Sequence, residues 1–458
     1  MKLSSAALAD AKFHFHPYTQ PRDLEKNGAL VVVGGRGVHV SDESGKEYIE
    51  GMAGLWCAAL GFSESRLVEA AYRQMNKLPY YHTFSGKVSG PVTDLVEKMM
   101  GWAPVPMARI LFANSGSESN DTAVKLVRYY HNAIGRPHKK KIIARGKGYH
   151  GVTLAAASLS GIPTMHKHFD LPLPDTIRVS CPHPYQFAQP NETPDAFAQR
   201  LARELEETIL REGPDTIGAF IAEPVQGAGG VIVPPPSYFS LIQPILKKYD
   251  ILLIADEVVS GFGRLGKPFG TQVYDLQPDF ITVAKMLTSA YMPMSALYIS
   301  DRVYQAVADA SAEVGVFGHG YTYGGHPVAC AVALEALQIY EERDIVGHVN
   351  QVAPSLQQGL QKFRDHPYIG DVRGMGLIAA VELSANPALR QAFPPERAVG
   401  AYLVRRAQEH GLILRAMAGD IVAFSPPLII TKAEIHALLE RFERALDDTS
   451  AWIRTWSD

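Results

Sequence analysis

The first place to expect chemistry in this chain is a lysine at the end of a short apolar run. Phe280-Ile281-Thr282-Val283-Ala284 leads into Lys285, and Met286-Leu287-Thr288-Ser289-Ala290 follows. Such surroundings desolvate an amine and favour its nucleophilic form. Other apolar runs also end in polar residues. Ile251-Leu252-Leu253-Ile254-Ala255 meets Asp256-Glu257, and Arg109-Ile110-Leu111-Phe112-Ala113 meets Asn114-Ser115-Gly116-Ser117-Glu118-Ser119. A run ending near Arg145 leads to Gly148-Tyr149-His150-Gly151, and Ile217-Gly218-Ala219-Phe220-Ile221-Ala222 leads to Glu223-Pro224. Each piece alone has an ordinary reading: a surface lysine, a helix N-cap, a strand-to-helix turn, an aromatic plug. Together they offer an imine-forming amine, two acids, an aromatic face and a phosphate-binding turn.

These residues need elements that bring them to one edge. The runs are short, unbroken and bounded by Gly, Pro, Asp or Ser, as strands buried on both faces are. Helical patterns at 196–211 and 238–248 separate them. The expected fold class is α/β with a mostly parallel central sheet, in which ligands sit beyond the carboxyl ends of the strands, beside helix N-termini. From about residue 332 the pattern changes to helices near 332–340 and 349–363, strands near 372–382 and 411–415, and a last helix from Ala433. A hairpin at 38–40 and 47–49 is expected to join this α+β part. The expected division is 1–73 as an N-terminal part of the small domain, 74–331 as the large domain, and 332–458 as the rest of the small domain.

The residue types match the needs of pyridoxal phosphate. That cofactor takes an amine as an imine, a carboxylate beside its ring nitrogen, a Gly- and hydroxyl-rich helix start for its phosphate, and an aromatic face against its ring. Residues 253–264, Leu-Ile-Ala-Asp-Glu-Val-Val-Ser-Gly-Phe-Gly-Arg, continue through Pro278-Asp279 to Ala284-Lys285. With Asn114-Ser115-Gly116-Ser117-Glu118-Ser119-Asn120-Asp121, Tyr149-His150-Gly151, Glu223-Pro224-Val225 and Gly318-His319-Gly320-Tyr321-Thr322, this segment resembles the class III aminotransferases of fold type I. The amine:pyruvate, or ω-transaminase, group is the most similar, and the resemblance runs from Gly54-Leu55-Trp56 to Arg415.

The resemblance implies a role for each matching residue. Lys285 holds the cofactor as an internal aldimine and then moves the proton, and Asp256 pairs with the pyridinium nitrogen. Val258 and Tyr149 flank the ring, with His150 beside them. Ser115, Gly116 and Ser117 bind the phosphate, and Glu223 buttresses the pocket. Thr322 reaches the phosphate of a neighbouring subunit, so the implied active unit is a homodimer, with a tetramer left open. Trp56, Tyr18, Phe84, Met165 and Ala228 fall where the family lines its substrate pocket, although each is also an ordinary core type. Arg415 matches a mobile arginine that grips the carboxylate of a 2-oxo acid and swings away for an uncharged amine. The chain departs from the group at residues 181–187, at Lys87 and at Gly315-Val316, all expected near the pocket mouth.

The bulk properties exclude other classes. With 458 residues, 47% hydrophobic and 20% charged, the chain has the makeup of a multidomain globular protein. A net charge of −3 and a single Lys139-Lys140-Lys141 run give no nucleic-acid footprint. The three scattered cysteines fit neither a disulfide framework nor a zinc site. His14/His16 and His166/His168 lack accompanying ligands at useful sequence spacing, so no metal is expected. No apolar stretch is long enough to span a membrane, and residues 1–12 lack a signal-peptide core. A cytoplasmic enzyme of small-molecule amines and 2-oxo acids is the expectation. A 2-oxoglutarate-dependent transaminase, an aminomutase and a non-catalytic binding protein of the same fold are the alternatives.

Overall fold

The computed structural model describes residues 3–456. Its centre is a seven-stranded sheet in the spatial order Arg109–Ala113, Ser295–Ile299, Phe280–Val283, Leu252–Asp256, Ile217–Ala222, Lys141–Arg145, Thr176–Val179. The strand Ser295–Ile299 runs antiparallel to both neighbours, and the other pairings are parallel. The parallel strands are almost wholly buried, so they read as continuous apolar runs rather than alternating ones. The antiparallel strand reverses direction twice across the sheet. The strand Arg109–Ala113 therefore points the same way as the lysine strand Phe280–Val283. The carboxyl ends that precede Asn114, Gly146, Glu223, Glu257 and Ala284 consequently share one edge.

One strand of this central sheet escaped the sequence reading. Thr176–Val179 is half exposed at the sheet margin and polar enough to look like a loop. The expected tail helices are present as Pro327–Glu342, Ile345–Gln361 and Lys432–Arg454; the tail's antiparallel sheet, in the order Ile369–Met375, Ile378–Leu383, Ile421–Phe424, Arg415–Met417, includes a strand, Ile421–Phe424, that the sequence reading did not name, as it did not name the helix Val399–Glu409. The N-terminal hairpin, His39–Asp42 with Glu47–Glu50, joins the C-terminal part directly, because Glu47–Glu50 pairs parallel with Leu412–Ile413. The expected junctions at 73/74 and 331/332 fall inside helices Ser65–Lys77 and Pro327–Glu342, which pack on each other. Residues 1, 2, 457 and 458 of the expected domains lie outside the described range. Among the described residues no helix is long and apolar enough to cross a membrane.

Candidate active site

Two cavities meet at Lys285. The first, of about 340 Å³, is bordered by Asn114–Ser117, Asn120, Tyr149–Gly151, Glu223, Asp256, Val258 and Lys285. Its floor is the Asp256 carboxylate, whose side chain is 3% exposed. Asp256 Oδ2 accepts from Asn120 Nδ2 at 2.9 Å and lies 2.8 Å from His150 Nδ1, while Oδ1 accepts from the Val258 amide at 3.1 Å. Asn120 is fixed in turn by Thr282 Oγ1, which donates to its Oδ1 at 2.8 Å from the lysine strand. A buried carboxylate is stable only with such donors. This set also aims the carboxylate into the cavity.

The wall opposite is the start of helix Gly116–Ala133, capped by Ser115. Its first amides have no partner within the helix and face the cavity with the positive end of the helix dipole. Gly116 packs closely under Val258: a Cβ there would lie 3.0 Å from Val258 Cγ2 and press on it. Ser117 Oγ accepts from the Val152 amide at 3.0 Å and so ties the turn to the tyrosine loop. Glu223 is buried and spans two loops. Its Oε1 accepts from the Tyr149 amide and its Oε2 from the Gly227 amide, both at 2.9 Å. Burial raises the Glu223 carboxyl above its ordinary range. Burial, with Tyr18 beside it, likewise holds the Tyr149 phenol protonated far above neutral pH.

Lys285 stands at the opening between the two cavities, in a left-handed backbone conformation with φ 50°. A branched or bulky residue is strained there, and such outliers persist where surrounding packing holds them. The second cavity, of about 640 Å³, is bordered by Tyr18, Trp56, Lys147, Tyr149, Gly161–Thr164, Ala228, Gly229, Val259, Lys285 and Arg415–Ala418. Arg415 lies 5.0 Å from the Trp56 ring centroid. Burial pulls its guanidinium pKa down, and Tyr149 and Tyr18 counter that.

Several expected residues sit elsewhere. Met165 is buried on the short turn Pro163–Met165 but does not border either cavity, because the turn presents Pro163 and Thr164 instead. Phe84 and Val316 border a separate cavity with Phe317–Tyr321, away from Lys285 of the same chain. Thr322 is exposed, and its carbonyl accepts from the Tyr80 hydroxyl at 2.7 Å. The segment 181–187, expected at the pocket mouth, lies against the C-terminal hairpin: buried His183 faces Asp371 and Glu382, while Gln186 and the Phe187 ring approach Lys147, a cavity residue. His14 and His16 do have a neighbour that sequence spacing hid. Asp10, on the helix Ser5–Phe13 that ends just before them, lies 2.9 Å from His14 Nδ1 and 2.7 Å from His16 Nε2. Asn120, Thr282 and Lys147 carry parts of the site that sequence reasoning gave no role. Asn120 and Thr282 lay within quoted segments, but their contacts with the Asp256 set are made across 136 and 162 positions of the chain.

A buried acid at one end, a helix N-terminus at the other and an amine between define a site for a phosphorylated, nitrogen-containing aldehyde cofactor. The comparisons agree with that class. The chain matches the family model Aminotransferase class-III over residues 22–446 and belongs to that family; its members are dependent on pyridoxal phosphate. It is 51% identical to gamma aminobutyrate transaminase 1, mitochondrial, of Solanum lycopersicum, over 94% of this chain and 84% of that protein. It is 49% identical to vanillin aminotransferase of Capsicum chinense, over 92% of each. The omega transaminase of Pseudomonas jessenii, solved in complex with PMP, superposes with a TM-score of 0.97 at 52% identity, covering 98% of this chain and 99% of that one.

Proposed function

We propose that this transaminase moves the amino group of a primary amine or ω-amino acid to pyruvate, releasing alanine and an aldehyde or ketone. The observation that carries this reading is Arg415. It borders the same cavity as Lys285, rests near Trp56, and is paired with no carboxylate among the described residues. A cation so placed grips the carboxylate of a 2-oxo acid and, on a long flexible stem, gives way to an apolar amine. The relatives support the amine half: two are named for an ω-amino acid and an aromatic aldehyde, and the solved neighbour is an omega transaminase.

Bound pyridoxal phosphate supplies an electron sink for the carbon being deaminated or aminated. The protein supplies the rest. Lys285 holds the cofactor covalently and carries the proton between donor and acceptor positions. Asp256, oriented by Asn120 and His150, keeps the ring nitrogen protonated. Ser115, Gly116 and Ser117 bind the phosphate, Val258 and Tyr149 confine the ring, and Glu223 fixes the loop that carries Tyr149. Trp56, Tyr18 and Ala228 shape the amine side. We assign Thr322 and Phe84 to the site of a second copy, which makes the active unit a homodimer. The cytoplasm is the proposed compartment, in keeping with free Cys57, Cys181 and Cys330.

The test is alanine formation from a panel of amines with pyruvate, run beside 2-oxoglutarate. Alanine with matching carbonyl product is expected. Glutamate formed in its place contradicts the acceptor, and rearranged amine with no alanine favours an aminomutase.

A further inference from the structure

The N-terminal segment brings together three side chains that the transamination does not use. Asp10 lies in the last turn of helix Ser5–Phe13, and His14 is its C-cap. Four-residue spacing puts both on one helix face. At His14 the backbone becomes extended, with φ −104° and ψ 126°, so His16, two residues on, returns to the same side. Both rings then converge on one carboxylate. His14 Nδ1 lies 2.9 Å from Asp10 Oδ1, and His16 Nε2 lies 2.7 Å from Asp10 Oδ2. The ring centroids are 4.3 Å apart.

No other charged group competes for these three among the described residues. Asp10 pairs with no lysine or arginine. Lys12 holds its ammonium over the Phe13 ring, and Arg22 is taken by Glu25. One carboxylate and two imidazoles form a donor set that favours Zn²⁺, Ni²⁺ or Cu²⁺ over Mg²⁺ and Ca²⁺. One nitrogen of each ring and one carboxylate oxygen lie within 4.8 Å of one another. Small side-chain rotations bring them to the roughly 2 Å bonding distance of zinc. A cavity of about 190 Å³, bordered by both histidines, leaves room for water in the remaining coordination positions. All three side chains keep some exposure, so an ion can reach them. The other cluster of this kind among the described residues, buried His183 with Asp371 and Glu382, differs: the Arg373 guanidinium already bridges its two acids.

We propose that Asp10, His14 and His16 bind a divalent transition-metal ion outside the catalytic cavities. His14 Nδ1, His16 Nε2 and one Asp10 oxygen are the ligands. Each neutral imidazole then carries its proton on the opposite ring nitrogen, Nε2 of His14 and Nδ1 of His16. The ion also has a mechanical consequence. His16 is followed directly by Pro17 and Tyr18, which border the substrate cavity. Ligands on both sides of Phe13 fasten helix Ser5–Phe13 to the stretch that carries those two residues.

The test is calorimetric titration of the cofactor-loaded protein with Zn²⁺, and separately with Mg²⁺, near neutral pH. The parent is expected to bind about one Zn²⁺ per chain and no Mg²⁺ at this site, with Zn²⁺ affinity lowered by about tenfold or more in Asp10→Asn, His14→Gln and His16→Gln alike. Three separate substitutions keep the test open should one variant fail to fold. Trypsin cleavage after Lys12 is expected to slow with Zn²⁺ in the parent and to be indifferent to it in the double variant of His14→Gln and His16→Gln. No Zn²⁺ binding by the parent, parental affinity in all the variants, or Mg²⁺ bound as well as Zn²⁺ overturns the site. A loss confined to the histidine variants overturns the three-ligand set. Cleavage of the parent that ignores Zn²⁺ overturns the fastening.

Discussion

The two cavities that meet at Lys285 are built on opposite principles. Around Asp256, the side chains of Asn120, His150, Thr282, Glu223 and Ser117 are bonded within the protein and form one interlocked set anchored on strand ends. Across Lys285, Arg415 opens the strand Arg415–Met417 and is paired with no carboxylate among the described residues. A closed network fixes one geometry, and its members are costly to remove because each leaves a buried group unsatisfied. An open charge on a long flexible side chain can meet different anions and then be left empty. On the function proposed above, the cofactor side commits to one chemistry and the substrate side keeps more than one.

That contrast can be broken or sharpened experimentally. The largest expected effect lies at the junction: Lys285→Ala lowers turnover by about 10⁴-fold or more, measured as steady-state alanine formation. On the closed side, Asp256→Asn removes the negative charge while keeping the shape. About a 100-fold loss in kcat is expected, with weaker cofactor retention on dialysis. If that loss appeared instead as a KM change for one substrate, the committed and adaptable sides would not be separable. On the open side, Arg415→Ala should raise KM for pyruvate by about tenfold or more, yet leave single-turnover reaction with 1-aminobutane within about threefold. Equal losses in both half-reactions would mean that Arg415 is part of the fixed machinery.

The smallest effect concerns pH and the substrate wall. Glu50 is buried and holds the backbone of the segment that carries Trp56, accepting from the Gly54 amide. Burial raises its pKa from 4.5 to about 7. The folded state therefore binds this proton more tightly than the unfolded state does. Its contribution to stability is greatest below the unfolded value and is lost as pH rises through about 7. Glu50→Gln should raise the melting temperature at pH 8 by roughly 1–3 K and have little effect near pH 4.5. A gain of equal size at both pH values would show that the carboxyl's ionisation is not responsible.

How far the sequence was legible follows the same division. Strand ends carried Lys285, Asp256, Glu223 and the Ser115–Ser117 turn in plain view, because buried parallel strands leave continuous apolar runs and the chemistry sits one step beyond them. The exposed edge strand Thr176–Val179 left no such run. The contacts of Asn120 and Thr282 with the Asp256 set join residues 136 and 162 positions apart, which no local pattern reports. On the substrate side, Trp56 and Arg415 were legible only through family likeness, and Met165 was misplaced by it. Lys147 was hidden because a lysine in a polar loop is ordinarily solvated. Its left-handed backbone and its neutral partner emerge only once Gly161, Gly229 and Gln186 are brought around it.

The central claim is that Lys285 is the amine that holds the cofactor in the Asp256 cavity. Borohydride reduction of the cofactor-loaded protein, followed by proteolysis and mass spectrometry, tests it directly. The account predicts a single pyridoxyl-phosphate adduct on the peptide containing Lys285, and none on that peptide in Lys285→Ala. An adduct on Lys147 or any other lysine of the parent protein, with Lys285 unmodified, would contradict it.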